Sequence, residues 1–443
     1  MADKQTLQDV ARAAVAQARK KGAQEAAATV SRKREVDVTW RDGKLEKISE
    51  ATARQLRLEL YVDGRYAAVQ TSDLRPEGLT SFISHAVAMT RALEKDPHRS
   101  LPDPALYRDR AQLDLMLEDS RHAELTPDER QRLAREAEEA ARAVKGRAQV
   151  LSVTTSFSDT LAETFRVASN GFAGEQRETG FVLFAEMSVK DPDGRRPEDY
   201  AFAHSRRLDG LPPAAQIGRE VAERTHGRVG ARKVPSGAMT MVLDNRAAGR
   251  LVSALLAPLS GQSLQQKRSF LEGKVGQRVG SARLSLVDDP HLPRGLGSRL
   301  FDAEGISARK FPLVEGGVLR NYYIDWYYGR KLGMAPTTGR PSNLSWGLGD
   351  KTQAQLIADV KEGIFVTSFI GGNSNSTTGD FSMGVLGFRI RGGRLAEPIG
   401  EMNVSGNHAQ LWQRLVAVGN DPYPYSVLRT PTLVFDGVQF AGA

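Results

Sequence analysis

The chain has no cysteine among its 443 residues, which excludes disulfides, thiolate metal sites and cysteine nucleophiles. It has no apolar run long enough to cross a bilayer, and its first residues lack the apolar core of a signal peptide. A cytoplasmic location is the expectation. Histidine is scarce. The seven stand at His85, His98, His122, His204, His226, His291 and His408, with no two spaced three or four apart. A helical metal pair and a His-Glu-x-x-His motif are therefore both missing. A long basic tract is missing too. The net charge is +8, but bases alternate with acids, as in Ser31-Arg32-Lys33-Arg34-Glu35 and Asp128-Glu129-Arg130-Gln131-Arg132. That pattern describes a solvated surface and makes nucleic acid an unfavoured partner.

What is present reads as an α+β protein. Residues 5–29 are rich in alanine and glutamine and predict a helix. A strand at 36–40 then meets the hairpin signal Arg41-Asp42-Gly43. Leu56, Leu58, Leu60 and Val62 alternate with polar residues up to a second hairpin signal, Asp63-Gly64, and a strand at 66–70 follows. Pro76 opens a helix with Leu79, Phe82, Ile83, Ala86, Met89 and Leu93 expected to face inward, and His85 as a packing residue. Residues 96–124 look like a connector. The order then repeats. A capping box, Thr126-Pro127-Asp128-Glu129, starts a helix to about residue 145. Strands at 149–157, 164–168, 181–189 and 200–205 follow, then a helix through Ile217, Val221 and Ala222. This predicts two helix–meander–helix units, at 1–95 and 125–232.

From 234 to 443 the texture becomes β-rich. Gly-bounded strands are expected at 239–243, 282–287, 306–315, 318–324, 364–370, 384–391, 399–404 and 432–440. Helices are expected at 247–259, 352–361 and 408–418. Closely spaced strands with Gly turns predict a strongly curved or barrel-like antiparallel sheet.

The concentrated polar feature lies at 281–305, where Asp288, Asp289, Asp302 and Glu304 stand among glycines and prolines. They have the composition of an acid/base pair of the glycosidase kind. Turn chemistry and backbone capping explain the same residues and weigh more. His291, beside Asp289, is the one histidine placed to act as an acid or base. The Gly371–Asp380 stretch has no P-loop lysine and precedes a strand. Ser260 and Ser376 have no histidine nearby in sequence.

Several of these stretches together resemble the TldD/PmbA family. They are Ser269-Phe270-Leu271-Glu272-Gly273-Lys274-Val275-Gly276, Asp288-Asp289-Pro290, Phe301-Asp302-Ala303-Glu304-Gly305, Thr378-Gly379-Asp380-Phe381-Ser382 and Val418-Gly419-Asn420-Asp421. Asp42-Gly43-Lys44-Leu45-Glu46 and Ser169-Asn170-Gly171-Phe172 fit the same pattern. The resemblance implies a two-subunit cytoplasmic peptidase acting on short or unstructured peptides. One subunit type carries zinc on a His-Glu-x-x-x-His helix with a late cysteine. Here the corresponding positions, within about one residue, are Ser253, Ala254 and Pro258. The resemblance thus points to the metal-free TldE (PmbA) type, with no catalytic residue, metal or cofactor of its own. Its expected partner is a zinc-bearing TldD-like subunit, or a second copy of itself. A sheet edge of the carboxy-terminal domain is expected to take peptide by strand addition. Tyr322, Tyr323, Trp326, Tyr327 and Tyr328 read as core or interface. The rival functions are an independent carboxylate-dependent hydrolase and a nucleic-acid-associated protein.

Overall fold

The computed structural model describes residues 2–443, with side chains described from Leu7 onward. Helix α1 (Ala2–Lys20) stops before Gly22, whose φ of 104° a helix cannot use. Strand β1 (Glu25–Arg41) begins soon after, so the alanine-rich stretch is not helical to residue 29. Tertiary packing overrides propensity there. Ala11, Ala14 and Ala18 of the helix share one buried cluster with Ala26 and Ala28 of the strand, and small side chains let the two approach closely.

Strand β1 pairs with β2 (Lys44–Val62) across Asp42 and Gly43, whose φ values of 48° and 81° suit a tight two-residue hairpin. Asp63 and Gly64 make the same turn into β3 (Arg65–Thr71). Helix α2 (Pro76–Thr90) follows. Its face is narrower than expected: Met89 is 49% and Leu93, just past its end, 41% exposed. His85 is on the exposed face as well, so it packs no core.

Helix α3 (Pro127–Ala143) starts on a complete capping box, in which Thr126 Oγ1 accepts the Glu129 N–H and Glu129 accepts the Thr126 N–H. Thr126→Ala should cost about 1 kcal/mol, read as a lower urea midpoint with an unchanged slope. Strand β4 (Gln149–Ala168) is one continuous strand, where the sequence suggests two. It pairs with β5 (Ala173–Lys190), which pairs with β6 (Glu198–Ser205), and α4 (Ala214–Gly227) closes the repeat.

The two repeats share one six-stranded sheet, ordered β3-β2-β1-β4-β5-β6, because β1 and β4 pair antiparallel. All four helices cover the same face. Leu56, Leu58, Leu60 and Phe165 pack in the cluster of the first pair, and Phe157, Phe181 and Leu183 in that of the second. The opposite face carries the polar alternates, among them Thr29, Arg57, Glu59 and Arg166.

The carboxy-terminal domain is built on a closed barrel. Strand β7 (Gly237–Leu243) leads into α5 (Asn245–Leu256) and the short α6 (Gly261–Gln265). A small sheet follows: β8 (Leu286–Asp288), β9 (Phe311–Glu315), β10 (Val318–Leu319) and β11 (Leu344–Trp346), with α7 (Trp326–Leu332) between the last two. These strands are shorter than their apolar runs, and α7 carries no sequence signal beyond its N-cap Asp325. Helix α8 (Gln353–Ala358) precedes β12 (Glu362–Ser374), β13 (Asp380–Arg391) and β14 (Arg394–Asn407). The stretch expected to be helical from 408 to 418 is only α9 (His408–Leu411) and one 3-10 turn. It then becomes strand β15 (Leu415–Val418), followed by β16 (Leu433–Ala441).

The order β14-β13-β12-β7-β16 closes on itself through Asn403 opposite Ala441 and Val404 opposite Phe440. The barrel is not wholly antiparallel, since β12 and β7 run parallel. Met241 and Leu243 face the large core with α5, while Val242 between them faces α8, the period-two alternation of a strand. No helix among the described residues is long and apolar enough to cross a membrane.

Candidate functional site

Two places hold the predicted residues, and they are chemically unlike. The first is α5. Asp244 caps it by accepting the Arg246 N–H at 2.8 Å. Leu251, Val252 and Leu255 bury its inner face. Ser253 is exposed, Ala254 partly buried and Pro258 fully buried just past its end. None of the three side chains presents an imidazole or carboxylate. Among the described residues no group of three or more histidines, cysteines, aspartates or glutamates is arranged to hold a metal ion. The residues present do not fit the zinc set that the family resemblance implies, because a proline ring and a methyl group donate no lone pair to a metal.

Beside α5 runs the second half of β12. Strand β7 pairs with β12 only from Gly363 to Val366, so the edge beyond is left by the barrel. Arg250 of α5 donates to the carbonyls of Phe369 and Gly371 along it, and Ile370 is 45% exposed. Near the end of β12, Ser374 Oγ lies 3.0 Å from His408 Nε2. Sequence reasoning missed this pair, because the residues are 34 apart and only the β12–β13 and β13–β14 registers together join them. His408 is fully buried between Phe270 and Phe381, and burial pushes its imidazole down to about 4. Its Nδ1 is buried with no partner. A serine–histidine pair with nothing to orient the imidazole lacks the third member of a hydrolytic triad.

The second place is a cavity of about 830 Å³ between the polar face of the six-stranded sheet and the loop 296–304 of the carboxy-terminal domain. Of the four loop carboxylates, the structure brings Asp302 and Glu304 to this cavity and keeps Asp288 and Asp289 away from it. Asp288 is 1% exposed and accepts from Tyr323 Oη at 3.0 Å, from the Ser342 N–H at 2.8 Å and from the Ser342 hydroxyl. Burial raises its carboxyl, and these donors hold it back. It ties β8 to the 338–343 loop. Asp289 accepts the His291 N–H and pairs with Lys310 at 2.8 Å. His291 touches Asp289 only through its backbone; its buried Nε2 has no partner, so nothing equips it as an acid or base.

Asp302 accepts the N–H groups of Glu304 and Ile306 at 2.9 and 3.0 Å, an Asx turn. Burial raises its carboxyl against those bonds. Glu304 Oε2 accepts the Trp326 N–H at 2.8 Å, at the first residue of α7. Burial first, then the neighbouring Asp302, Asp325 and Glu59, raises its carboxyl to about 8 against that one donor. Across the floor, Arg166 donates to Thr29 Oγ1 at 3.1 Å and to Glu59 at 2.9 Å. Arg206 donates to the Leu296 carbonyl at 2.6 Å and pairs with Glu178 at 3.0 Å.

The aromatic run splits. Tyr322 and Tyr323 lie in the barrel-side core. Trp326 and Tyr327 hold the connector, with Trp326 Nε1 donating to Ser100 Oγ and Tyr327 Oη to Asp96.

An amino-terminal sheet shared by two repeats and set against a closed barrel defines a two-part α+β scaffold. The chain belongs to the PmbA/TldD metallopeptidase family. Residues 26–90 match its domain 1, residues 121–229 its central domain and residues 236–442 its C-terminal domain, in each case of the PmbA/TldA metallopeptidases. The metalloprotease PmbA of Escherichia coli O157:H7 is 26% identical over 420 residues, covering 93% of this chain and 91% of that protein. A Bacteroides thetaiotaomicron protein named as a modulator of DNA gyrase is 40% identical, with a TM-score of 0.95 over 98% of both chains. TldE from Thermococcus kodakarensis has the same fold, with a TM-score of 0.84 at 21% identity over 98% of this chain and all of that one.

Proposed function

We propose that this chain is the non-catalytic, TldE-like subunit of a cytoplasmic metallopeptidase assembly acting on short unstructured peptides. A zinc-bearing TldD-like partner supplies the electrophile and the attacking water. This chain supplies a wall of the chamber and an extended edge for substrate. The observation that carries the reading is the outer face of α5, where Arg250, Ser253, Ala254 and Ala257 stand without any metal ligand. Next to that face, β12 past Val366 has no strand partner on the β7 side, and Arg224 and Arg250 hold its Thr367, Phe369 and Gly371 carbonyls; a peptide added there as a strand, read through its backbone with low sequence preference, takes the place of those guanidinium groups. Arg250, already on two carbonyls of this edge, fixes its position.

The test is a peptide-cleavage assay on the purified chain, alone and mixed with a zinc-bearing homologue. No cleavage is expected alone, and chelator-sensitive cleavage is expected in the mixture. One observation favours a second reading: a carboxyl raised to about 8 on a cavity wall has the profile of a general acid. Cleavage by the chain alone, insensitive to chelator and lost in Glu304→Gln, would establish that reading and sink the first.

A further inference from the structure

The cavity between the sheet and the 296–304 loop has a charge imbalance that the fold itself does not resolve. Its walls hold six guanidinium groups against four carboxylates. Some of the six are committed: Arg299 donates to the carbonyls of Arg340 and Pro341 and to Thr338, and Arg206 is tied to Leu296 and Glu178. Others are not. Arg99 lies 3.3 Å above the Tyr327 ring centroid and 4.3 Å from that of Tyr66, and its guanidinium makes no hydrogen bond or ion pair. Arg340 is exposed at the rim and its side chain also has no partner. Arg166, 4% exposed, keeps its bonds to Thr29 and Glu59, and its Nε, like those of Arg206 and Arg299, is buried without an acceptor. A buried guanidinium donor left unpaired is costly unless something accepts from it.

We propose that this cavity is a binding site for a small organic anion bearing carboxylate or phosphate groups. Arg99 and Arg340 would grip it at the mouth, and Arg166 would meet it at the floor. Planar guanidinium forks suit both kinds of oxyanion through paired N–H donors. The volume, about 830 Å³, is that of a ligand pocket rather than a single-ion niche. The tyrosines under Arg99 hold its side chain in place, within electrostatic reach of Asp96 and Asp325 but hydrogen-bonded to neither. Protonation of Glu304 at neutral pH leaves still less negative charge to satisfy the arginines. Nothing in this proposal depends on the peptidase assignment.

The experiment is calorimetric titration of the full chain with inorganic phosphate, citrate and triglutamate at low salt. At least one should bind in the millimolar range or tighter, and added sodium chloride should weaken it, as expected for ionic contacts. Preference for phosphate assigns a phosphoryl ligand, and preference for citrate or triglutamate a carboxylate one. Arg340→Gln should weaken binding about tenfold, as loss of one charge-assisted contact does. Its thermal midpoint should stay unchanged, because that side chain holds nothing. Arg99→Gln should weaken binding similarly. Absence of binding by all three probes, or equal affinity in Arg340→Gln and the parent, overturns the proposal.

Discussion

Asp159→Ala should destabilise the chain by on the order of 3–5 kcal/mol. Asp159 lies on β4 and is 1% exposed. Arg130, at the start of α3, donates to both of its oxygens, at 2.5 and 3.0 Å. His122 of the connector approaches the same carboxylate to 2.9 Å. Burial alone would raise this carboxyl, but His122 and Arg130 outweigh it and hold it below the ordinary range. Removing the acid leaves the Arg130 guanidinium, itself 4% exposed, without its counter-charge. The loss is therefore that of an orphaned buried charge, larger than the net worth of the pair. Replacing both partners by apolar residues, as in Arg130→Met with Asp159→Leu, should recover most of it. Urea midpoints of the two single variants and the double variant measure this. If the double variant is as unstable as the sum of the singles, the charge-orphaning account fails.

How far the sequence announced this structure depends on how local the cause is. Asp42-Gly43 and Asp63-Gly64 are legible because a two-residue hairpin needs positive φ at both positions, and only a few residue types supply it. The Thr126 capping box is legible because few side chains can accept the N3 N–H from the N-cap while a Glu at N3 reaches back to it. The alternation Leu56-Arg57-Leu58-Glu59-Leu60 identifies a strand with one apolar face. It does not say what covers the other face, and Arg57 and Glu59 look like surface residues until the carboxy-terminal loop is seen against them. Ala26 and Ala28 mislead because alanine favours a helix in isolation but fits a strand that a helix approaches closely. The family motifs led to the right scaffold. They grouped four loop carboxylates that the fold then divides, Asp288 and Asp289 for structure and Asp302 and Glu304 for the cavity. The Ser374–His408 pair had no local signal at all. Long-range register made it, and no spacing rule reads register across two hairpins.

That division makes Glu304 the residue whose replacement should most change the response to pH. In the unfolded chain its carboxyl ionises near 4.5, and in the folded chain near 8. Between those values the folded state holds a proton that the unfolded state has lost, so stability must fall as pH rises through this window. The contribution is absent as a penalty below pH 4.5 and complete above pH 8. At about 1.36 kcal/mol per unit, it reaches at most about 5 kcal/mol. Glu304→Gln keeps an oxygen for the Trp326 N–H and cannot ionise. The groups facing this position are Asp302 on its own loop, Asp325 at the start of α7 and Glu59 on β2, with no cation among its principal influences. The variant should match the parent near pH 5 and exceed it increasingly towards pH 9, where the parent buries a carboxylate among three other acids. Thermal midpoints of both proteins across that range provide the measurement. Parallel curves would mean that Glu304 ionises in the folded chain as it does in water, and that its carboxyl is better hydrated than its burial indicates.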